Sequence, residues 1–386
     1  MRRLSFVLSI LATAILQLWA AAEPAAPPAL DVAARIQPVP RQSVVEHQEW
    51  FTWGASVLKG DDGRYHMVYC RWPKKYPFGD GWLIDAELCY ATADQPGGPF
   101  KYIRTILQGR KAEGKPTAWD GASIYNPHLK RFNGKIYLYY AASCDPRATG
   151  LSTDRKTLVT HQCIGVVEAD SLQALGEGKF TRRDEPLFKP VSRLGFSLPP
   201  AEEFGDRDHI TPANVVVVNP SVVQGPDGRF FLVFKGWQNK KSFAPVHGIA
   251  ISDSPTGPFT VQPKPIFTNA DGSIGMAEDP FAWYDSQRKS FFAIVKDFKG
   301  QITQAGPSLA LFESPDGLAW KPAEHVLASK LAIHWADGVV QKVYHLERPQ
   351  LLFDDQGNPI MLYCACMPTA KQDHAFNVHI PLMPPK

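Results

Sequence analysis

Five times along this chain a short polar group stands just ahead of an apolar run, a turn and a second apolar run. The first copy reads Trp53-Gly54-Ala55-Ser56-Val57 and turns at Asp61-Asp62-Gly63. Asn126-Pro127-His128-Leu129 turns at Asn133-Gly134, and Asn219-Pro220-Ser221-Val222 turns at Pro226-Asp227-Gly228. Glu278-Asp279-Pro280-Phe281 turns at Asp285-Ser286-Gln287, and His345-Leu346-Glu347-Arg348-Pro349-Gln350 turns at Asp354-Asp355-Gln356-Gly357. Each turn is followed by an alternating run rich in aromatic and branched residues, such as Arg64–Tyr69 or Arg229–Phe234, which is a strand pattern.

A third strand follows in each of the first four copies, for example Leu88–Asp94 and Gly248–Asp253, and Gly/Pro turns such as Gly257-Pro258-Phe259 lead to an outer strand. The fifth copy lacks an obvious outer half. Phe376–Ile380 is one candidate for it, and a strand from the N-terminus closing a ring is another. Several strands per unit, repeated at a long period, predict an all-β fold, a five-bladed β-propeller. Three insertions between repeats, Trp72 to Gly81, Val191 to Val215 and Lys330 to Tyr344, are long enough to shape a pocket on one face.

Ahead of the repeats, Met1-Arg2-Arg3 precedes an apolar run that ends in Ala20-Ala21-Ala22. That pattern reads as a signal peptide over 1–22, and predicts a secreted or periplasmic protein after cleavage near Ala22. Residues 23–45, rich in Ala, Pro and Val, read as an N-terminal linker, and residues 46–386 as the propeller domain. No later stretch is apolar enough to span a bilayer. The formal net charge of +3 becomes +1 once Arg2 and Arg3 are removed, so there is no field to draw nucleic acid. Among the six cysteines, Cys70 with Cys89 and Cys144 with Cys163 stand where neighbouring strands would bridge, with buried thiols as the alternative. Cys364 and Cys366 alternate onto one face. Their spacing is unlike a zinc site. Oligomeric state is not written in the sequence.

In a propeller the innermost strands surround one axis, so the five heads converge although they are far apart in sequence. Collected, they are Trp53, Asn126, Asn219, Glu278, Asp279, His345, Glu347 and Arg348, with Asp120 shortly before the second head. Carboxylates that face one another across a narrow pocket have their pKa values pushed apart, so one stays protonated while another ionises. Glycosidic bond cleavage needs such a pair. Asp120, Asp279, Glu347 and His345 are therefore the candidate catalytic residues. Trp53, Asn126, Asn219, Glu278, Arg348 and the loop residue His209 are candidate contacts to a carbohydrate substrate, with Trp72 and Trp82 as stacking surfaces. There is no Gly-x-Ser-x-Gly, Walker loop, dinucleotide fingerprint or His-Glu-x-x-His. No cofactor is expected. An ion in the central channel is conceivable on such a scaffold, but no metal-ligand set is readable.

Asn219-Pro220-Ser221-Val222, Glu278-Asp279-Pro280, His345-x-Glu347-Arg348-Pro349 and the segment 252–259 together resemble the five-bladed propeller glycoside hydrolases of the family 43 and family 117 type. The resemblance implies an exo-acting hydrolase with a carboxylate base, a carboxylic acid and a third, tuning residue. It also exposes a departure. Family 43 places its base Asp at the first head, where this chain has Trp53-Gly54-Ala55-Ser56, so that base cannot be carried over. Glu347 assisted by His345 is then the expected acid, Asp279 or Asp120 the expected base, and inversion the expected outcome. A glycan phosphorylase and a non-catalytic carbohydrate-binding propeller are the competing readings.

Overall fold

The computed structural model describes residues 27–190, 216–237, 245–269, 271 and 273–383. Strand β1 (Val44–Val45) precedes the repeats. The first blade is β2 (Trp50–Lys59), β3 (Tyr65–Pro73), β4 (Glu87–Ala93) and β5 (Lys101–Leu107). The second is β6 (Ser123–Phe132), β7 (Lys135–Ser143), β8 (Gln162–Ala169) and β9 (Thr181–Arg182). The third is β10 (Val217–Gln224), β11 (Phe230–Trp237), β12 (Pro245–Ser252) and β13 (Thr260–Val261). The fourth is β14 (Ala277–Asp285), β15 (Ser290–Asp297), β16 (Ser308–Ser314) and β17 (Lys321–Lys330). A hairpin, β18 (Ala332–His334) with β19 (Val340–Lys342), leads to the fifth blade: β20 (His345–Phe353), β21 (Pro359–Met367) and β22 (Phe376–Pro381). Its outermost strand is β1, antiparallel to β22, with Val44 opposite Val378.

The protein is thus a five-bladed propeller, and both candidates for the missing half of the last blade belong to it. Each blade's first strand touches the first strands of the two neighbouring blades, which closes the ring around the axis. The alternating apolar residues pack between blades. One cluster joins Val68, Leu88 and Tyr90 of the first blade to Ile124, Leu138 and Val167 of the second, and comparable clusters join the others.

Residues 27–45 differ from the expected linker, for they are built into the domain. Leu30, Val32 and Val39 are buried against Phe281, Leu309 and Ile380. The backbone of Val39 donates to His334 and pairs with the hairpin at Trp335. The Lys330–Tyr344 insertion therefore clasps the N-terminal segment and does not shape the axial pocket. The Trp72–Gly81 insertion does shape it, through a helix over Phe78–Ile84. The 191–215 insertion and the leader over 1–22 lie outside the described residues.

Of the two readings of Cys70 and Cys89, the bridge is excluded by register. Cys70 pairs with Leu88 and Cys89 with Tyr69, so the two side chains leave the sheet on opposite faces. Burial pushes both thiols up, that of Cys89 to about 12. Cys144 and Cys163 are both buried. Cys364 and Cys366 share a face and lie in the same core cluster.

Candidate active site

The site is built from one backbone feature used five times. In each first strand the pairing register slips by a bulge, at Trp53/Ala55, Tyr125/His128, Val218/Ser221, Glu278/Phe281 and Glu347/Gln350. A bulge re-aims the side chains beside it. At each slip one residue takes up the left-handed conformation: Gly54 at φ 49°, Asn126 at 54°, Asn219 at 54°, Asp279 at 55° and Arg348 at 54°. Four of the five are followed by proline, which a first strand tolerates at a bulge because no ladder donor is needed there.

These residues form a linked floor. Asn126 Nδ2 donates to Asn219 Oδ1 (2.6 Å), and Asn219 Nδ2 donates to Asp279 Oδ1 (2.7 Å). Arg348 grips the same carboxylate twice, from Nη1 to Oδ1 and from its backbone N–H to Oδ2, each at 3.2 Å. Gly54 completes the circle by leaving room, since a Cβ there would lie 3.4 Å from the Arg348 Cγ.

The residues one position earlier, Trp53, Tyr125, Val218, Glu278 and Glu347, stand around the floor as the wall of a pocket of about 250 Å³. Trp72, Phe78, Trp82 and Trp237 extend that wall with aromatic surface, and Arg155 stands at the same pocket. Glu278 and Glu347 are more open than Asp279, with side chains 16% and 13% exposed against 5%.

Two lysines complete the electrostatics. Lys235 and Lys296 occupy matching places on the second strands of the third and fourth blades, opposite Val218 and Glu278 respectively. Each reaches the acid of the next blade, Lys235 to Glu278 and Lys296 to Glu347. His345 Nδ1 also lies 3.0 Å from Glu347 Oε1 and sits behind that carboxylate, outside the pocket lining.

Glu278, Asp279 and Glu347 each offer an oxygen, and these oxygens lie within 4.8 Å of one another. Burial is the largest influence on Asp279 and raises its carboxyl to about 6. Arg348 opposes that rise, while the charges of Glu278 and Glu347 add to it. Burial works in the same direction on Glu347, but Lys296 and His345 together outweigh it and hold this carboxyl down at about 2. The trio therefore contains a group ionised at all ordinary pH and a group that keeps a proton into the weakly acidic range. Three oxygens at this spacing are also within reach of a single cation. Each acid is at the same time met by a cationic side chain, Lys235, Arg348 or Lys296.

Of the residues read from the sequence, Trp53, Asn126, Asn219, Glu278, Asp279, Glu347 and Arg348 meet at this pocket, and His345 supports it from behind. Asp120 does not join them. It is fully buried on the outer side of the second blade, where Arg182 Nη2 (2.6 Å) and Arg110 Nε (3.1 Å) neutralise it. The residue of that head which reaches the axis is the one at the bulge, Asn126. His209 lies outside the described residues. Sequence reasoning missed Lys235 and Lys296. A lone lysine closing each of the runs Phe230–Lys235 and Phe291–Lys296 was the available signal.

Comparison with solved structures places this architecture. A family 117 glycoside hydrolase from the marine bacterium Zobellia galactanivorans superposes with a TM-score of 0.57 at 17% identity, over 90% of this chain and 89% of that one. The fold is that of the propeller glycoside hydrolases. A family 43 β-xylosidase/α-arabinofuranosidase from a compost microbial metagenome matches with a TM-score of 0.54 at 13% identity, over 89% and 94% of the two chains. An α-L-arabinofuranosidase from Lactobacillus brevis gives 0.54 at 13%, over 91% and 94%. No protein-family model matches the sequence, and no curated protein matches it.

Proposed function

We propose that this chain is an exported glycoside hydrolase that removes a terminal sugar from a poly- or oligosaccharide. The observation that carries this reading is the carboxylate trio at the base of an aromatic-walled pocket, two of whose members have their protonation driven in opposite directions. The fold shared with family 43 and family 117 enzymes supports it. A volume of about 250 Å³ is near the lower end of ordinary small-molecule sites, roughly 300–1,000 Å³, and suits one sugar ring at the end of a chain. Export rests on the leader over residues 1–22. No helix among the described residues is long and apolar enough to cross a membrane.

The roles of the acids differ from those first read. Glu347, held ionised by Lys296 and His345, suits attack or base work and is poorly suited to be the acid. The proton comes from Asp279, which holds it up to about pH 6 and itself lines the pocket. One oxygen from each acid lies within 4.8 Å of the others, and so close a set favours direct attack by Glu347 over an interposed water. The reaction then runs in two steps. Glu347 bonds to the anomeric carbon as the glycosidic bond breaks and the leaving oxygen takes the proton. Water afterwards replaces Glu347 and returns a proton to Asp279.

Incubating the purified protein with a panel of plant and algal oligosaccharides and detecting released monosaccharide tests this reading. Release of one terminal sugar is the expected result. Binding without release, or release only when phosphate is supplied, would contradict hydrolysis.

A further inference from the structure

Arg348 is the unusual member of the floor. Asn and Asp adopt the left-handed conformation with some ease and Gly freely, whereas a long side chain does so rarely. This arginine is held there with its side chain laid across Gly54 and only 3% exposed, yet it lines the pocket. Its Nη1 is taken by Asp279, while Nε has no hydrogen-bond partner among the described residues. Lys235 and Lys296 each pair with a glutamate, and among the unpartnered buried donors of the pocket residues are Arg348 Nε and the indole Nε1 of Trp72, of which only the guanidinium is charged.

The charges point the same way. Glu278, Asp279 and Glu347 are balanced by Lys235, Arg348 and Lys296 before any ligand enters, with His345 behind Glu347. Below about pH 6 a proton kept on Asp279 leaves the pocket with surplus positive charge. A buried guanidinium with unused donors is best met by a planar anion, because a carboxylate matches its fork and a hydroxyl fills a single donor only.

We propose that Arg348, lying in the space that Gly54 leaves open, is a specificity residue for an acidic sugar, so that the terminal unit bound here is a uronic acid with its carboxylate on the free edge of the guanidinium. This rests on the hydrolase reading for its setting and adds the class of substrate. Inorganic phosphate shares the same oxygen-anion chemistry.

Calorimetric titration of the full chain separates these sources, using D-glucuronate and D-galacturonate against D-glucose, D-galactose, the methyl esters of the two uronates, and inorganic phosphate. The expected result is that at least one uronate binds about tenfold or more tightly than its neutral sugar and its ester. Arg348→Lys, which keeps the charge but loses the fork, should bring the ratio of uronate to neutral-sugar affinity down toward one, whatever it does to neutral-sugar binding itself. The ester comparison needs no variant and decides the matter if Arg348→Lys fails to fold. Equal binding of acid, ester and neutral sugar overturns the proposal. Phosphate binding as tight as either uronate, and lost in the same variant, also overturns it, making the anion phosphate. Release of neutral sugars without uronate binding would sink the subsite and leave the hydrolase reading standing. Uronate binding with no glycan cleaved would do the reverse.

Discussion

Glu347 and Asp279 are both acidic, both belong to innermost strands, and both lie in one pocket, yet their surroundings drive them apart. The lysine and histidine beside Glu347 favour its charge, whereas Asp279 is buried beside two other acids and resists ionising. A carboxyl raised to about 6 is protonated below that pH and loses its proton above it. If that proton serves the leaving group, kcat/KM falls as pH rises through about 6. Asp279→Asn should remove this limb, along with most of the rate, and a pH–rate profile of both proteins checks it. An unchanged profile in the variant would separate Asp279 from the chemistry. The sequence showed which residues assemble, because Trp53, Asn126, Asn219, Glu278, Asp279, Glu347 and Arg348 each head a repeat. It did not show that Glu347 is held ionised, because that depends on Lys296, which arrives from the neighbouring blade. Asp120 misled for the same reason. Its partners Arg110 and Arg182 come from other strands and loops, and nothing adjacent to it announces a buried ion pair.

At the scale of the element, the bulged first strand is the device that turns a repeat into a site. The left-handed residue aims at the axis while its predecessor stands on the wall, so one backbone irregularity delivers two side chains per blade. The first blade departs from the others by carrying glycine at this place. Gly54→Ala would force an L side chain to φ 49° and press a methyl toward Arg348 at 3.4 Å. The conformational part alone costs about 1–2 kcal/mol. Urea unfolding should show a loss of at least that size. The repeated Pro after the head was visible in the sequence, but the bulge it marks was not. A run such as Glu278-Asp279-Pro280-Phe281 reads equally well as a turn before a strand, and only the slipped register distinguishes them.

Taken as a whole, the molecule is a ring closed by its two ends. Strand β1 completes the blade that begins near the C-terminal end, and the segment before it is pinned between that blade and the β18–β19 hairpin. Burying Leu30, Val32 and Val39 contributes about 1.5–3 kcal/mol each, a large part of the roughly 5–15 kcal/mol that holds a domain folded. A chain starting at Glu46 is expected to melt far below one starting at Pro27, or not to fold. Thermal denaturation monitored by circular dichroism checks this, and equal melting temperatures would show that the closure is unimportant. The propeller itself was legible from the period of the repeats. The closure was left open because a two-residue strand at Val44–Val45 carries no periodic signal.

All three scales meet in the claim that acids from successive blades form one catalytic centre. Its most direct test is the turnover of Glu347→Gln on whichever oligosaccharide the native protein cleaves fastest, with folding verified by its melting curve. The account predicts a fall in kcat of about 10²–10⁴ or more in a protein that still folds, and native turnover in the variant would contradict it.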